Sequence, residues 1–205
     1  MARAFRRKGD RFVAKFDEME RGVVAGLMEQ TREIVAPVET SEAAPTGDAF
    51  DDIVAGLGVS VAAGDQEPVE DPADRDPALE RLLPTAHRGD EEVAAEFRRL
   101  TEHDLRDRKA TNLATAIEAL RGASGDRLEL TREQAQAVLV ALTDTRLVLG
   151  ERLGLRTDED ALVLDERIAT LDPDDPAVYA ASFYDFLTWM QESLTTAMLG
   201  RGLFS

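Results

Sequence analysis

Two Gly-Asp-Arg turns constrain this chain more than any other feature. The stretch "RAFRRKGDRFVAKF" reads as a β-hairpin of residues 2–7 and 11–16, with Gly9 free to take positive φ in the turn. Asp17, with Glu20 three residues on, then starts a helix in capping-box fashion. That helix carries Val23, Val24, Leu27, Met28, Ile34 and Val35 at helical spacing and ends before Pro37. The second turn, "GDRLEL" from Gly125, sends another short strand into Thr131 and Gln134, which cap a helix running toward Gly150 or Gly154. A two-stranded hairpin alone is marginal in water, whereas three strands packed on a helix are stable. The strand near 126–130 is the natural third member, so a small antiparallel sheet of three strands is expected.

The rest reads as helix. "DEEVAAEFRRLTEHDLRDRKATNLATAIEALRG" has Val93, Phe97, Leu100, Leu105, Leu113, Ile117 and Leu120 as apolar positions, as one helix or as two joined near Thr101. A last helix from about Pro176 to Leu199 carries Tyr179, Phe183, Phe186, Leu187, Met190 and Leu194. The expected fold is therefore mainly α, a helical bundle with the three-stranded sheet at one side, forming a single domain over 1–205. No apolar run approaches the roughly 18 residues that span a bilayer, and no apolar segment follows the basic N-terminus as a signal peptide would require. The sequence contains no cysteine. Disulfides, thiolate catalysis and zinc-thiolate sites are excluded, and a soluble cytoplasmic protein is expected.

Charge is unevenly placed. From Ala36 to Glu80 there are twelve acidic residues against Arg75 alone, which accounts for −11 of the net −17. Such a stretch reads as an acidic, partly disordered insert at about 37–78. Two amphipathic islands lie in it or at its end: "DAFDDIVAGLG", and "DPALERLLP" with Leu79, Leu82 and Leu83, both expected to dock on the main body. By contrast Arg3, Arg6, Arg7, Lys8 and Arg11 crowd the first eleven residues with only Asp10 opposing them.

No catalytic motif stands out. His87 sits in a loop-like "TAHRGD", and His103 lies between Glu102 and Asp104. Successive helical residues point about 100° apart, so that trio does not converge on one ion. No metal, cofactor or catalytic residue is assigned. "FRRLTEHDLRDRK" places Arg98 and Arg99 near Glu102, Glu102 near Arg106, and Asp104 near Arg108, the spacing of an ion-paired helix surface or of a partner's groove. Asp144 and Arg146 interrupt an apolar helix and point outward or meet partners inside the bundle. Five of the eleven aromatics fall in "YAASFYDFLTWMQ", where Tyr184 and Trp189 lie off the main stripe. Core packing explains most of them, and an exposed Tyr184 or Trp189 would mark an interface.

The candidate partner surface is accordingly Arg3, Arg6, Arg7, Arg98, Arg99, Glu102 and Trp189. Basic residues on a first strand at the sheet edge guard against edge-to-edge aggregation, the preferred role, and also offer a site to an acidic partner. Direct nucleic-acid binding is disfavoured, because the overall negative field repels phosphates and no helix-turn-helix or RNA-binding signature is present. A homodimer is compatible with the sequence. The alternative is an enzyme or small-ligand binder in which Arg98, Glu102, Asp144 and Arg146 converge on a helical pocket.

Three separated stretches carry a family resemblance: "DPALERLLPTAHRGDEEVAAEFRRLTEHDLRDRKATNL", "LTDTRLVLGERLG" and "YDFLTWMQESL". Together with "FRRKGDRFVAKFDEMERGVV" they resemble the actinobacterial domain of unknown function 2017 family over nearly the whole chain outside the acidic insert. The resemblance implies a gene beside that of the ClpS protease adaptor and near cysteine-biosynthesis genes. It also implies a non-enzymatic, transcription-associated regulator of the AosR oxidative-stress type, acting with a sigma factor and sensing oxidation through cysteines. With no cysteine, no thiol sensor can be carried over to any position here. The methionines Met19, Met28, Met190 and Met198 can oxidise, but helical core positions explain them.

Overall fold

The computed structural model describes residues 2–35, 76–84 and 91–200, the side chains of 91–101 excepted. In chain order the elements are β1 (Arg3–Lys8), β2 (Arg11–Lys15), α1 (Glu18–Val35), α2 (Pro77–Leu82), α3 (Glu91–Arg121), β3 (Arg127–Leu130), α4 (Arg132–Arg152), α5 (Asp158–Ile168) and α6 (Pro176–Leu199). The chain is mainly α with a small three-stranded antiparallel sheet in the order β1-β2-β3, as its turns predict.

Both Gly-Asp-Arg turns depend on glycine. Gly9 has φ 64° and Gly125 φ 59°, the left-handed region that a Cβ disfavours. Each turn feeds a strand into a reciprocal cap. The Glu20 N–H donates to Asp17 Oδ1 at 2.8 Å while Glu20 Oε2 accepts the Asp17 N–H at 2.9 Å. Thr131 and Gln134 repeat the same exchange at the start of α4.

The core lies between the inner face of the sheet and the helices. Phe5, Phe12, Ala14, Phe16, Leu128 and Leu130 face Met28 of α1, Leu113 and Leu120 of α3, Leu142 of α4, and Leu187, Met190 and Leu194 of α6. Helix α4 touches α1, α2, α3, α6 and the sheet, so it is the hub of the bundle. Helix α2 docks on it through a second cluster in which Leu79, Leu82 and Leu83 meet Val35 and Val148. Asp76 both caps α2, accepting the Ala78 N–H at 2.8 Å, and pairs with Arg152 at 2.6 Å. The second acidic island thus packs on the main body, as expected, at the end of the range read from sequence as insert. The first island and His87 lie outside the described residues.

The structure departs from the sequence reading in several places. Of the two readings of residues 91–121, the structure takes the single helix, without a break near Thr101. Helix α5 was not anticipated, although Thr157 and Asp160 form a capping box of their own. The buried stripe of α6 is Ala180, Leu187, Met190, Leu194 and Ala197; Phe183 and Phe186 sit half-buried at its margin and Tyr179 is 39% exposed. The helix is therefore rotated from the aromatic stripe, because small and aliphatic side chains pack closest to α4 and the sheet. Met28 and Met190 are core residues as expected, whereas Met19 is 79% exposed on the first turn of α1.

Candidate interaction surface

The outer face of the sheet is where charge gathers. In the antiparallel register Arg3 lies opposite Lys15 and Lys15 opposite Arg127, so three cations form one row across the strands. The next row is Arg6, Val13 and Glu129, and the last is Lys8 and Arg11. Paired residues point to the same face, and Phe12, Ala14 and Leu128 take the other one. A register shift between Arg3 and Arg6 has a physical consequence. Strict alternation would put residues three apart on opposite faces, and the bulge turns both arginines outward. At that irregularity Ser193 Oγ of α6 accepts the Phe5 N–H at 3.4 Å.

Six cations thus share one face with Glu129, which pairs with Arg127. Among the described residues no carboxylate pairs with Arg3, Arg6, Lys8, Arg11 or Lys15, and all five are exposed. Arg7 lies opposite Phe12 and so belongs to the other side of the sheet, where it remains exposed and its Nε donates to the Gly9 carbonyl. The partner surface read from sequence therefore divides: Arg3 and Arg6 share a face and Arg7 does not. Lys15 and Arg127 join it instead, which only the strand register reveals.

The helical candidates fall elsewhere. Arg98 and Arg99 are on α3, with side chains outside the described ones. Glu102 pairs with Arg106 at 2.7 Å, and Arg106 also donates to the Val35 carbonyl, tying α3 to the end of α1. Arg108 does not reach the Asp104 carboxylate; its Nε donates to the Asp104 backbone carbonyl at 3.1 Å. Trp189 is half-buried, stacked on Phe186 with ring centroids 5.7 Å apart and edge-on to Phe16 at 6.1 Å. It closes the seam between α6 and the sheet more than it offers a free surface.

Asp144 and Arg146 turn to different sides of α4. Asp144 is buried and accepts from Lys109 of α3 at 2.5 Å. Burial raises its pKa above the ordinary value, against the hydrogen bond and charge of Lys109. Arg146 donates to Gln191 at 2.7 Å and lies over the Tyr184 ring, so Tyr184 serves an α4–α6 contact. Glu102, Asp144 and Arg146 are each engaged separately. Near the sheet, a groove of about 460 Å³ runs between β3 and the end of α3, lined by Glu118, Gly122, Arg127, Glu129 and Gln134. Among the described residues no group of three or more His, Asp or Glu side chains is placed to hold a metal, and no helix is long and apolar enough to cross a membrane.

One important residue escaped the sequence reading. Arg21 reads as an ordinary charged position on α1, yet it is 7% exposed. Its guanidinium donates to the carbonyls of Phe16 at 2.7 Å, Gly125 at 2.5 Å and Leu120 at 3.1 Å. It therefore locks the first Gly-Asp-Arg unit to the second. The signal available was its place one turn after the Asp17 cap, where an inward side chain faces the incoming strand.

The family model described as "Domain of unknown function (DUF2017)" matches residues 2–198, and the chain belongs to that family. Relatives named "Oxidative stress regulator AosR" occur in Mycobacterium bovis and Mycobacterium tuberculosis. Each is 31% identical over 140 residues, which covers 61% of this chain and 59% of the relative. No solved structure matches the chain significantly.

Proposed function

From that membership we propose that the protein is a non-enzymatic cytoplasmic regulator, associated with transcription under stress, that acts by binding another protein. The observation that carries this reading is the register of Arg3, Lys15 and Arg127 on the outer face of the sheet. Like charges directly opposite each other weaken a sheet, and among the described residues the fold offsets only Arg127 of the three, through Glu129. A negatively charged partner would offset the other two. The name of the mycobacterial relatives supports a regulatory role, and the absence of cysteine means a disulfide switch cannot be built from this sequence.

Chemistry supplies a direct test. The lysines of the chain are Lys8, Lys15 and Lys109, of which the first two stand exposed on the proposed face and the third is held by Asp144. Amine-reactive crosslinking of the protein purified with its partner from native extract should join that partner to Lys8 or Lys15. A partner that crosslinks through neither, and survives exchange of Arg3, Arg6 and Lys15 for alanine, would move the site to the helices. Failure to recover any partner at low or moderate salt would sink the reading.

A further inference from the structure

Building on the protein-contact reading, we infer that the outer face of the sheet takes an extended acidic peptide segment in which an aliphatic side chain lies between two carboxylates. The pattern comes from β2. Arg11, Val13 and Lys15 point outward at alternate positions, about 6.8 Å apart at two residues' rise per step. Phe12 and Ala14 between them are buried. Val13 is the half-buried apolar centre of the face. On one side of it Lys15 is flanked by Arg3 and Arg127, and on the other Arg11 is flanked by Lys8. Arg6 and Glu129 flank Val13 itself, and Glu129 is turned to Arg127.

An extended chain repeats its side chains on one face at the same interval. A sequence of acidic, any, aliphatic, any, acidic residues laid along β2 would set one carboxylate between Lys15 and Arg3, beside the Arg127 that Glu129 already pairs. The aliphatic side chain would cover Val13, and the second carboxylate would meet Arg11 and Lys8. The cationic rim around an apolar centre is the usual anatomy of a protein contact.

A nucleic acid fits less well. The face measures about 10 Å across its three strands and about 13 Å along β2. A duplex presents a charge every ~1.7 Å and continues far past that footprint. It would then run over a chain of net charge −17. Single strands bind by stacking bases on aromatic rings, and Phe5, Phe12 and Phe16 of the sheet region are all buried.

The test uses the full chain and fluorescence anisotropy. The probe is a labelled nine-residue peptide alternating glutamate with serine and carrying valine at its centre. Controls replace glutamate by glutamine or valine by serine, and a labelled 20-base-pair DNA is titrated in parallel. The glutamate peptide should bind, and Lys15→Glu or Arg11→Glu should weaken it about tenfold or more, with raised salt doing the same. Val13→Ser should cost about threefold, the order of a lost small apolar contact. Since these side chains point to solvent, circular dichroism should report unchanged folding in each variant. Indifference to Lys15→Glu, DNA binding tighter than peptide at equal salt, or no peptide binding at millimolar concentration would each overturn the inference. If a crosslinked partner is nevertheless held through Lys8 or Lys15, the protein-contact reading stands and only the proposed peptide pattern fails.

Discussion

Lys109 of α3 meets Asp144 of α4 inside the bundle, ammonium to carboxylate at 2.5 Å, with the second Asp144 oxygen buried and unpaired among the described residues. A buried ion pair adds little net stability, but breaking it strands a charge. Lys109→Met should therefore destabilise the fold by about 3 kcal/mol at neutral pH. The pH dependence has a definite sign. Burial already holds the Asp144 pKa above its unfolded value, and loss of Lys109 removes the influence that lowers it. A carboxyl with a raised folded pKa contributes its full stability below the unfolded value and loses it as pH rises through the folded one. The deficit of Lys109→Met should accordingly shrink as pH falls toward about 4. Urea denaturation of both proteins at neutral and acidic pH decides it, and a deficit independent of pH would refute the account.

Arg21 carries a larger structural task than its place in a charged sequence suggests. Replacing it with alanine leaves the buried carbonyls of Phe16 and Leu120 without this donor and frees the loop at Gly125. Unsatisfied buried acceptors cost about 1–3 kcal/mol each, so a total loss near 3 kcal/mol is expected after partial hydration. For a chain of this size that corresponds to a fall in Tm of roughly 6–12 °C. Arg21→Lys should recover only part of it, because an ammonium lacks the planar fork that spans several carbonyls. Differential scanning calorimetry of the two variants is sufficient. A Tm within about 2 °C of the unsubstituted protein in Arg21→Ala would mean that the lock is dispensable.

These two residues also show where sequence reasoning stops. Periodicity and punctuation made the hairpin, the third strand and the helices at 18–35, 132–152 and 176–199 legible, because turns and caps act over a few residues. The partner of Asp144 is 35 residues away and the acceptors of Arg21 lie up to 104 away, distances at which local pattern is silent. The candidate surface divided on the same line. Arg3 and Arg6 could be nominated by their type, but a bulge sets them on one face, and pairing across β2 brings in Lys15 and Arg127. Helix α5 was missed for the opposite reason. It buries no residue and leaves Leu162 and Val163 exposed by 66% and 64%, so it has no core-facing stripe to detect.

The two capping boxes of α4 and α5 should respond differently to the same change. Thr131→Ala removes the cap of the hub helix and should cost about 1 kcal/mol of global stability. Thr157→Ala removes an equivalent cap from a helix with no buried residue. Its effect should be confined to local fraying of α5, with the global transition unmoved. Amide hydrogen exchange read alongside chemical denaturation separates the two. A global loss in Thr157→Ala equal to that in Thr131→Ala would show that α5 is coupled to the core.

The cationic row predicts a conflict between stability and binding at one residue. Lys15 is held between Arg3 and Arg127, and cross-strand charge pairs are worth about 0.2–1 kcal/mol each. Lys15→Glu turns the repulsion from Arg3 into an attraction and adds a smaller one to Arg127, which Glu129 already pairs, so the variant should be more stable than the natural chain by about 0.5 kcal/mol at low ionic strength. Salt should erase most of that gain, since the groups are exposed to solvent. Lys15→Gln should gain less, because it removes repulsion without adding attraction. If the row exists to hold an acidic partner, the same substitution that strengthens the fold must weaken the crosslinked complex. A Lys15→Glu protein that loses stability would show that these cations are already compensated on the folded surface, and the argument from like-charge cost would fall with it.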